Sequence, residues 1–157
     1  MNIYVLSHDP REAARYHVDR HVVKMIVESA QILCTVLHET GVEAPYRPTH
    51  RHHPVVRWAG ASLSNWRWLR ELALALNDEY RYRFGREKDH ASATVIRSLP
   101  EPPIPDRGLT PFAQAMPEKY RRDDAVEAYR AFYRGAKAHL ARWTRRSAPA
   151  WWHRDQV

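Results

Sequence analysis

The chain has 157 residues, of which 25 are lysine or arginine and 18 are aspartate or glutamate, so its formal net charge is +7. Its hydrophobic content of 44%, with 27% charged residues, is typical of a globular protein, and no apolar run is long enough to cross a bilayer. The N-terminal sequence MNIYVLSHDP lacks the features of a signal peptide, and the lone Cys34 excludes an internal disulfide. These properties predict a cytoplasmic protein with no membrane association and a single domain over residues 1–157.

The N-terminal region predicts a short extended segment followed by a helix. Residues 2–6 are Asn-Ile-Tyr-Val-Leu, and Asp9 then stands where it can cap a helix whose first residue is Pro10. Glu12 is available for a capping box. This helix either breaks near Asp19, which is then a second cap, or continues into the next one.

The segment from His17 to Gly41 predicts the core helix. Its buried face is marked by apolar residues at helical spacing, namely Val22, Met25, Ile26, Leu33, Val36 and Leu37. Gly41 is a natural left-handed stop. On the opposite side, polar residues repeat in steps of four and three, which places them along one helix face. These residues form the polar stripe: His17, His21, Lys24, Glu28 and Gln31.

The polar stripe contains imidazole, amine and carboxylate groups, which are the groups used in acid–base and nucleophilic catalysis. Lys24 is a candidate Schiff-base amine, and Asp19 is a candidate base or a group that orients a histidine. If these residues line a pocket, alanine replacement of His17, Lys24 or Glu28 should leave the fold intact. A solvated helix face that carries such residues by chance is the alternative. The candidate catalytic residues are His17, Asp19, His21, Lys24 and Glu28.

A metal site on the same helix is a weaker hypothesis. His17 and His21 are separated by one helical turn, a spacing that lets one helix face bind a metal ion. Val18, however, stands where the HExxH motif of zinc hydrolases requires glutamate. We therefore assign no metal or other cofactor, and a divalent ion at His17 and His21 remains a secondary hypothesis. The sequence also lacks the glycine-rich and CxxC motifs of P-loop, dinucleotide-binding and thiol redox proteins.

The segment 41–54, GVEAPYRPTHRHHP, predicts a loop because it contains three prolines and no helical period. Loops on a rigid helical scaffold often carry functional residues. A flexible basic loop without a specific role is the alternative. Its basic and imidazole side chains are Arg47, His50, Arg51, His52 and His53.

The remainder of the chain predicts further helices and a proline-rich connector. Residues 55–61 form one helical segment, and a second long helix at 65–84 runs antiparallel to the core helix at 20–40. A short helix runs from Asp89 to Arg97, and a third long helix covers 124–145. The connector LPEPPIPDRGLTP excludes regular structure. The arginines of the second long helix are expected away from its buried face: Arg67, Arg70, Arg81 and Arg83.

The excess of basic residues is typical of a protein that binds nucleic acid. Arginine suits phosphate binding, and the six tryptophans and eight tyrosines offer surfaces on which bases stack. Trp151 and Trp152 are expected to fold back over a core edge, with a base-stacking platform as the alternative. The residues assigned to DNA binding are Arg47, His50, Arg51, His53, Asn65, Arg130, Arg134 and Lys137.

Several segments occur in an order that resembles a group of small phage-encoded proteins: HVDRHVVKMIVESAQ, THRHHPVVRW, SNWRWL, TPFAQAMP and RSAPAWW. More distantly, the chain is similar to the phage pyrimidine-dimer DNA glycosylases. That similarity rests on a histidine near the start of the first helix, matched by His17, on a histidine-containing segment before an aromatic helix, and on the aromatic C-terminus.

The resemblance to the glycosylases implies a compact all-helical enzyme that flips a nucleotide, attacks its sugar with an N-terminal amine and uses a glutamate in catalysis. The region of that glutamate is occupied here by Val22, Val23 and Lys24, and Glu28 lies one turn later. Asn2 predicts that Met1 is retained, whereas those glycosylases expose a small residue after removal of methionine.

We therefore predict an all-α fold, a compact single-domain helical bundle with proline-rich loops. The predicted function is that of an enzyme acting on DNA, by pyrimidine glycosylase-like base excision or by modification of pyrimidine bases in phage-type DNA. If a phage encodes it, the protein would act in the host cytoplasm. The alternatives are a non-catalytic phage DNA-binding protein that uses the basic C-terminal helix and a metal-dependent hydrolase that uses the helix of His17 and His21.

Overall fold

The computed structural model describes residues 1–156, with side chains described through His153, so Val157 of the predicted domain lies outside the described residues. Within residues 1–156 the chain forms α-helices and short 3-10 helices and no β-strand, which confirms the all-α prediction. None of these helices is both long and apolar enough to cross a bilayer. The α-helices are α1 (Pro10–Tyr16), α2 (Asp19–Glu39), α3 (Pro54–Ala61), α4 (Leu63–Phe84), α5 (Ala91–Ser98) and α6 (Ala125–Ala136), and the 3-10 helices are Glu118–Tyr120, Ala138–Leu140 and Ala150–Gln156.

Helix boundaries follow the local signals in most of the chain. Asp9 caps α1 by accepting a hydrogen bond from the backbone N–H of Arg11 at 2.9 Å, and Pro10 lies in the first turn. Gly85 ends α4 in the left-handed conformation, with φ of 61°. Between α1 and α2 the chain breaks at His17, whose backbone is extended. Of the two predicted alternatives for this junction, the break is therefore the one observed.

Helices α2 and α4 pack against each other in an antiparallel arrangement. The indole N–H of Trp66, near the start of α4, donates to the carbonyl of Leu33 near the end of α2 at 3.3 Å. At the other end of the pair, the guanidinium of Arg83 donates to the carbonyl of His17 at 2.7 Å. The two long helices thus form the centre of the fold, as predicted.

The extended segment 2–6 passes through the interior, and all of its residues are buried. The hydroxyl of Tyr129 in α6 donates to the Asn2 side chain at 2.8 Å. The ring of Tyr4 stacks near that of Phe132, also in α6, with centroids 6.3 Å apart. The segment therefore connects α6 to the central helix pair.

The third long helix is shorter than predicted, because α6 ends at Ala136 instead of continuing to residue 145. The backbone leaves the helical conformation at Lys137, with φ of −115°, and then turns back over α1. There the indole N–H of Trp143 donates to the carbonyl of Tyr16 at 2.9 Å. A continued helix would carry Trp143 away from this position, so tertiary contacts override the helical pattern.

The prediction that Arg83 lies on the exposed side of α4 is wrong, because its side chain is fully buried. Its guanidinium donates to Glu79 at 3.0 Å and to Asp19 at 3.1 Å. Arg146 adds two further hydrogen bonds to Glu79, at 3.0 and 2.8 Å. Burial alone would raise the pKa of Glu79, but the hydrogen bonds and charges of the two arginines outweigh it and hold this pKa below its ordinary value.

The two adjacent tryptophans near the C-terminus fold back onto the core, as predicted, and both are buried. Trp151 meets the ring of Tyr16 edge-on at 5.7 Å, and Trp152 meets Trp143 at 5.1 Å. The guanidinium of Arg130 lies 5.4 Å from the Trp151 ring centre. The C-terminal region therefore closes one side of the core.

We expect Arg83→Ala to lower the free energy of unfolding by about 3–5 kcal/mol, because it leaves the buried Glu79 carboxylate without one of its two arginine partners. The exposed Arg86 provides a control, and Arg86→Ala should change the free energy by less than about 0.5 kcal/mol. Urea denaturation followed by circular dichroism measures both. A loss below about 1 kcal/mol for Arg83→Ala would contradict the structural role of this ion network.

Candidate active site

The polar stripe is divided between the interior and the surface, and it does not lie on one helix, because His17 precedes the start of α2 at Asp19. His17 and His21 are buried, with 0% and 3% of their surface exposed. One to two turns further along, the Lys24 side chain is 63% exposed and that of Glu28 is 14% exposed. The prediction of one continuous reactive face is therefore not what the structure shows.

His17 belongs to the core. Its Nδ1 is hydrogen-bonded to the carbonyl of Ala13 at 2.6 Å, and its Nε2 has no hydrogen-bond partner among the described residues. Burial lowers the pKa of His17 to about 4, so the ring is neutral at physiological pH. The expectation that His17→Ala is tolerated is not supported, since the substitution would open a cavity in a packed interior.

His21 is held by two tyrosines. Its Nδ1 is hydrogen-bonded to the hydroxyl of Tyr133 at 2.7 Å, and its ring stacks on Tyr4 with centroids 4.4 Å apart. Burial is the largest cause that lowers the pKa of His21, to about 3, and the nearby charges of His17, Lys137, Lys24 and Arg20 lower it further. His21 is thus a neutral packing and hydrogen-bonding residue at physiological pH.

Asp19 has a structural position, and its carboxylate is occupied. It accepts hydrogen bonds from the backbone N–H and the hydroxyl of Thr144, at 2.8 and 2.5 Å, in addition to the one from Arg83. It therefore ties the C-terminal segment to the start of α2. Among the described residues, neither oxygen of Asp19 is hydrogen-bonded to the ring of His17 or His21. The arrangement therefore does not support the predicted role of Asp19 as their base.

The described residues contain no group of three or more His, Cys, Asp or Glu side chains arranged to hold a metal ion. The Nδ1 atoms of His17 and His21 are both engaged inside the protein. The geometry therefore gives no support to the metal-dependent hydrolase hypothesis.

Glu28 lies between two primary amines. Its Oε1 is 3.3 Å from the α-amine of Met1, and its Oε2 is 3.8 Å from the Nζ of Lys24. The α-amine reaches this position because the buried segment 2–6 runs alongside α2. We call Met1, Lys24 and Glu28 the amine–carboxylate cluster.

One histidine of the 41–54 loop is within electrostatic range of this cluster. His53 caps α3, with its Nδ1 accepting from the backbone N–H of Val55 at 3.2 Å, and this bond fixes the ring. Burial lowers the pKa of His53, as do the charges of the α-amine of Met1 and of His50, whereas Glu28 acts in the opposite direction. His53 therefore senses the charges of the cluster without a hydrogen bond or ion pair to it among the described residues.

Tyr4 also borders the amine–carboxylate cluster. Burial raises the pKa of Tyr4 to about 12, and the negative charge of Glu28 adds to this effect. Neither Tyr4 nor Met1 is marked by the helical pattern, because their approach to α2 depends on contacts between distant parts of the chain. The resemblance to the glycosylases was the only sequence signal that pointed to an N-terminal amine.

The residues assigned to DNA binding separate into three groups. Arg47 and His50 are exposed, Arg51 is exposed and lies 3.4 Å from Glu39, and His53 is within electrostatic range of the amine–carboxylate cluster. In contrast, Asn65 is fully buried. Its amide donates to the Trp58 carbonyl and to Thr110, so it fastens the proline-rich connector and is out of reach of a ligand.

The third group lies on α6 and the turn that follows it. Arg130 is mostly covered, and its Nε donates to the Leu6 carbonyl at 3.0 Å. Arg134 donates to the Trp151 carbonyl at 3.2 Å, and the amine of Lys137 lies 5.2 Å from the Phe132 ring centre. Arg130 is therefore mainly a core residue, and Arg134 and Lys137 remain partly exposed.

We expect the free energy of unfolding to decrease as the pH falls from about 6.5 to about 4. The pKa values of His17 and His21 are lowered to about 4 and about 3 in the folded protein, against 6.5 ordinarily, so unfolding takes up protons in this window. Each histidine contributes a slope of about 1.4 kcal/mol per pH unit. This stabilisation is fully present above pH 6.5 and is lost as the pH approaches the folded-state values.

Urea denaturation at several pH values measures the slope, and His17→Asn and His21→Asn should each reduce it. His139 is exposed, so His139→Asn is the control. Equal slopes in all three variants and the parent protein would contradict the assignment of this pH dependence to the buried histidines.

No family model matches this chain, and neither the curated proteins nor the solved structures contain a match. The resemblance to phage proteins and to the pyrimidine-dimer glycosylases therefore stays a prediction.

Proposed function

We propose that the protein is an enzyme that acts on DNA through a primary amine held beside Glu28. The observation that carries this proposal is the position of the Glu28 carboxylate between the α-amine of Met1 and the ammonium of Lys24. A carboxylate next to a primary amine is suited to accept its proton and to leave a nucleophile. Base excision is the reaction class that this pair supports best.

The reaction balances with these groups and solvent water. The neutral amine attacks the C1′ carbon of the nucleotide sugar, the bond from C1′ to the base breaks, and the electron pair leaves with the base, which takes up a proton from water. Glu28 accepts the proton that the amine loses and returns it to the ring oxygen O4′ as the bond from C1′ to O4′ breaks, so the sugar ring opens and the sugar becomes linked to the protein as a protonated imine. Of the two amines, the α-amine is preferred because it lies nearer to the carboxylate, at 3.3 Å against 3.8 Å for Lys24.

The surroundings of the cluster suit a polyanionic substrate. Arg20 and Lys24 are exposed on α2, and their charges and that of Lys137 all act on His21. The 41–54 loop adds the exposed side chains of Arg47 and His50 to the basic surface of the protein. Exposed cations of this kind would hold the phosphates that flank a nucleotide.

Borohydride trapping tests the proposal. The probe is a duplex oligonucleotide with one abasic site, whose ring-opened sugar aldehyde forms an imine with an amine and releases water. We expect borohydride to reduce this imine to a stable protein–DNA adduct, and trypsin to place it on residues 1–11 if the Met1 α-amine reacts. An adduct at Lys24 would block cleavage there and would assign the reaction to the lysine. No adduct under these conditions would overturn the amine mechanism and leave a non-catalytic DNA-binding protein as the better hypothesis.

Variants separate the roles within the cluster. Lys24→Ala should keep the adduct, and so should the control Lys88→Ala, whereas one extra residue placed before Met1 should abolish it. Glu28→Gln should reduce strand cleavage at the abasic site about 100-fold, as expected for loss of a general base. Glu87→Gln, on an exposed loop, is its control. Equal cleavage by the two glutamine variants would remove Glu28 from the reaction.

DNA binding should be strongly dependent on salt, since the chain carries a net charge of +7. We expect affinity for a duplex to fall at least about tenfold between 50 and 200 mM salt, because phosphate contacts release counterions. The double variant Lys24→Ala, Lys137→Ala should reduce the slope of log affinity against log salt by about two relative to Lys88→Ala. Fluorescence anisotropy measures the slope, and a value near zero would remove DNA as the partner.

A further inference from the structure

A concave site lies between α6, the 3-10 helix Glu118–Tyr120 and the C-terminal Trp152. It is an open cavity of about 450 Å³. Sites for small ligands typically have volumes of roughly 300–1,000 Å³. The residues that line it are Lys119, Tyr120, Arg122, Ala131, Arg134, Gly135, Ala138 and Trp152.

The charge of this cavity is positive. Lys119, Arg122 and Arg134 line it, and among the described residues that line it none is acidic. Within the described residues, neither Lys119 nor Arg122 forms an ion pair with a carboxylate. By contrast, several arginines elsewhere in the chain each form at least one such ion pair. Unpaired cations around a concavity favour an anionic ligand.

Arg122 is held in place before any ligand binds. Its Nη1 donates to the carbonyls of Lys119 and Arg121 at 3.0 and 2.9 Å. Its backbone N–H donates to the Gln114 side-chain oxygen at 3.0 Å, and the Gln114 amide donates to the Arg122 carbonyl at 2.6 Å. A guanidinium fixed in this way loses little conformational freedom when it binds a phosphate.

The cavity also has aromatic walls. The ring of Tyr120 packs against Phe132 with centroids 5.3 Å apart, and Trp152 packs against Trp143. Gly135 keeps this arrangement open, because a Cβ atom at that position would collide with the ring of Tyr120 and lie 2.7 Å from its hydroxyl. A flat ring can therefore lie beside Tyr120 or Trp152 while an anionic group reaches the cations.

We propose that this cavity binds a nucleoside monophosphate group, with the phosphate on Arg122 and Lys119 and the base against Tyr120 or Trp152. The combination of aromatic walls, positive charge and suitable volume carries the proposal. It does not depend on the amine–carboxylate cluster, whose residues line another part of the surface. The nucleoside monophosphate group belongs to a free nucleotide or to a nucleotide within a DNA strand.

Isothermal titration calorimetry on the full chain tests the proposal, with the four deoxynucleoside 5′-monophosphates used singly. We expect at least one of them to bind at least tenfold more tightly than both inorganic phosphate and its own nucleoside. Equal affinity for inorganic phosphate would show an anion site only, and equal affinity for the nucleoside would show that the cations are not used. Either result, or no binding of any nucleotide, would overturn the proposal.

Variants locate the binding site. The double variant Lys119→Ala, Arg122→Ala should weaken nucleotide binding at least tenfold, whereas the charge-matched control Arg86→Ala, Lys88→Ala should leave it unchanged. Gly135→Ala, which displaces Tyr120, should weaken it without a change of net charge. Circular dichroism and the melting temperature identify any variant that has not folded. Equal nucleotide affinities in the two double variants would show that the nucleotide does not bind in this cavity.

A final comparison identifies the source of the nucleotide. If a single-stranded oligonucleotide competes with the mononucleotide and loses affinity in Lys119→Ala, Arg122→Ala, the cavity takes a nucleotide of a DNA strand. If it does not compete, the ligand is a free nucleotide. Adduct formation at the abasic site is measured separately in the parent protein and in the same variants. A parent protein that forms the adduct but binds no nucleotide would refute this site alone and leave the amine mechanism standing.

Discussion

The burial of the N-terminal segment is the constraint on which the rest of this structure depends. Residues 2–6 occupy the space between α2 and α6, and the hydroxyl of the buried Tyr129 fixes Asn2. This placement makes α6 part of the core, which it joins through the segment and through the hydrogen bond between Tyr133 and His21. It also sets the α-amine of Met1 against Glu28. Without the segment, neither the packing of α6 nor the amine–carboxylate cluster would exist in this form.

The same burial explains why one helix face has two different roles. Near its start, α2 is covered by Tyr4 and Tyr133, so histidines that would otherwise be solvated are dehydrated and kept neutral. Further along, Lys24 is exposed, whereas Glu28 and Met1 remain mostly covered where the carboxylate meets its two amines. A periodic pattern in sequence therefore does not mean a uniform environment, because the neighbours that cover a helix come from elsewhere in the chain.

Most of the fold could be predicted from local signals, and much of the site could not. Apolar spacing, caps such as Asp9 and stops such as Gly85 are short-range features, and they identified the two long helices and the short α-helices, but not the three 3-10 helices. The end of α6 and the burial of Arg83 depend on partners far away in the chain, namely Tyr16 for Trp143 and Asp19 for Arg83. Glu28 and Lys24 were selected from their spacing, but Met1 could be placed beside them only by long-range packing.

The hydrogen bond between Asn2 and Tyr129 joins residues that are 127 positions apart. On a ribosome, the first residues emerge long before α6 has been made, so the N-terminal segment must wait without its native cover while most of the chain is synthesised. Closing so long a loop is entropically costly, and native contacts of this separation slow folding. The apolar sequence Ile-Tyr-Val-Leu is therefore exposed in the nascent chain, where a chaperone that recognises extended apolar segments would find it.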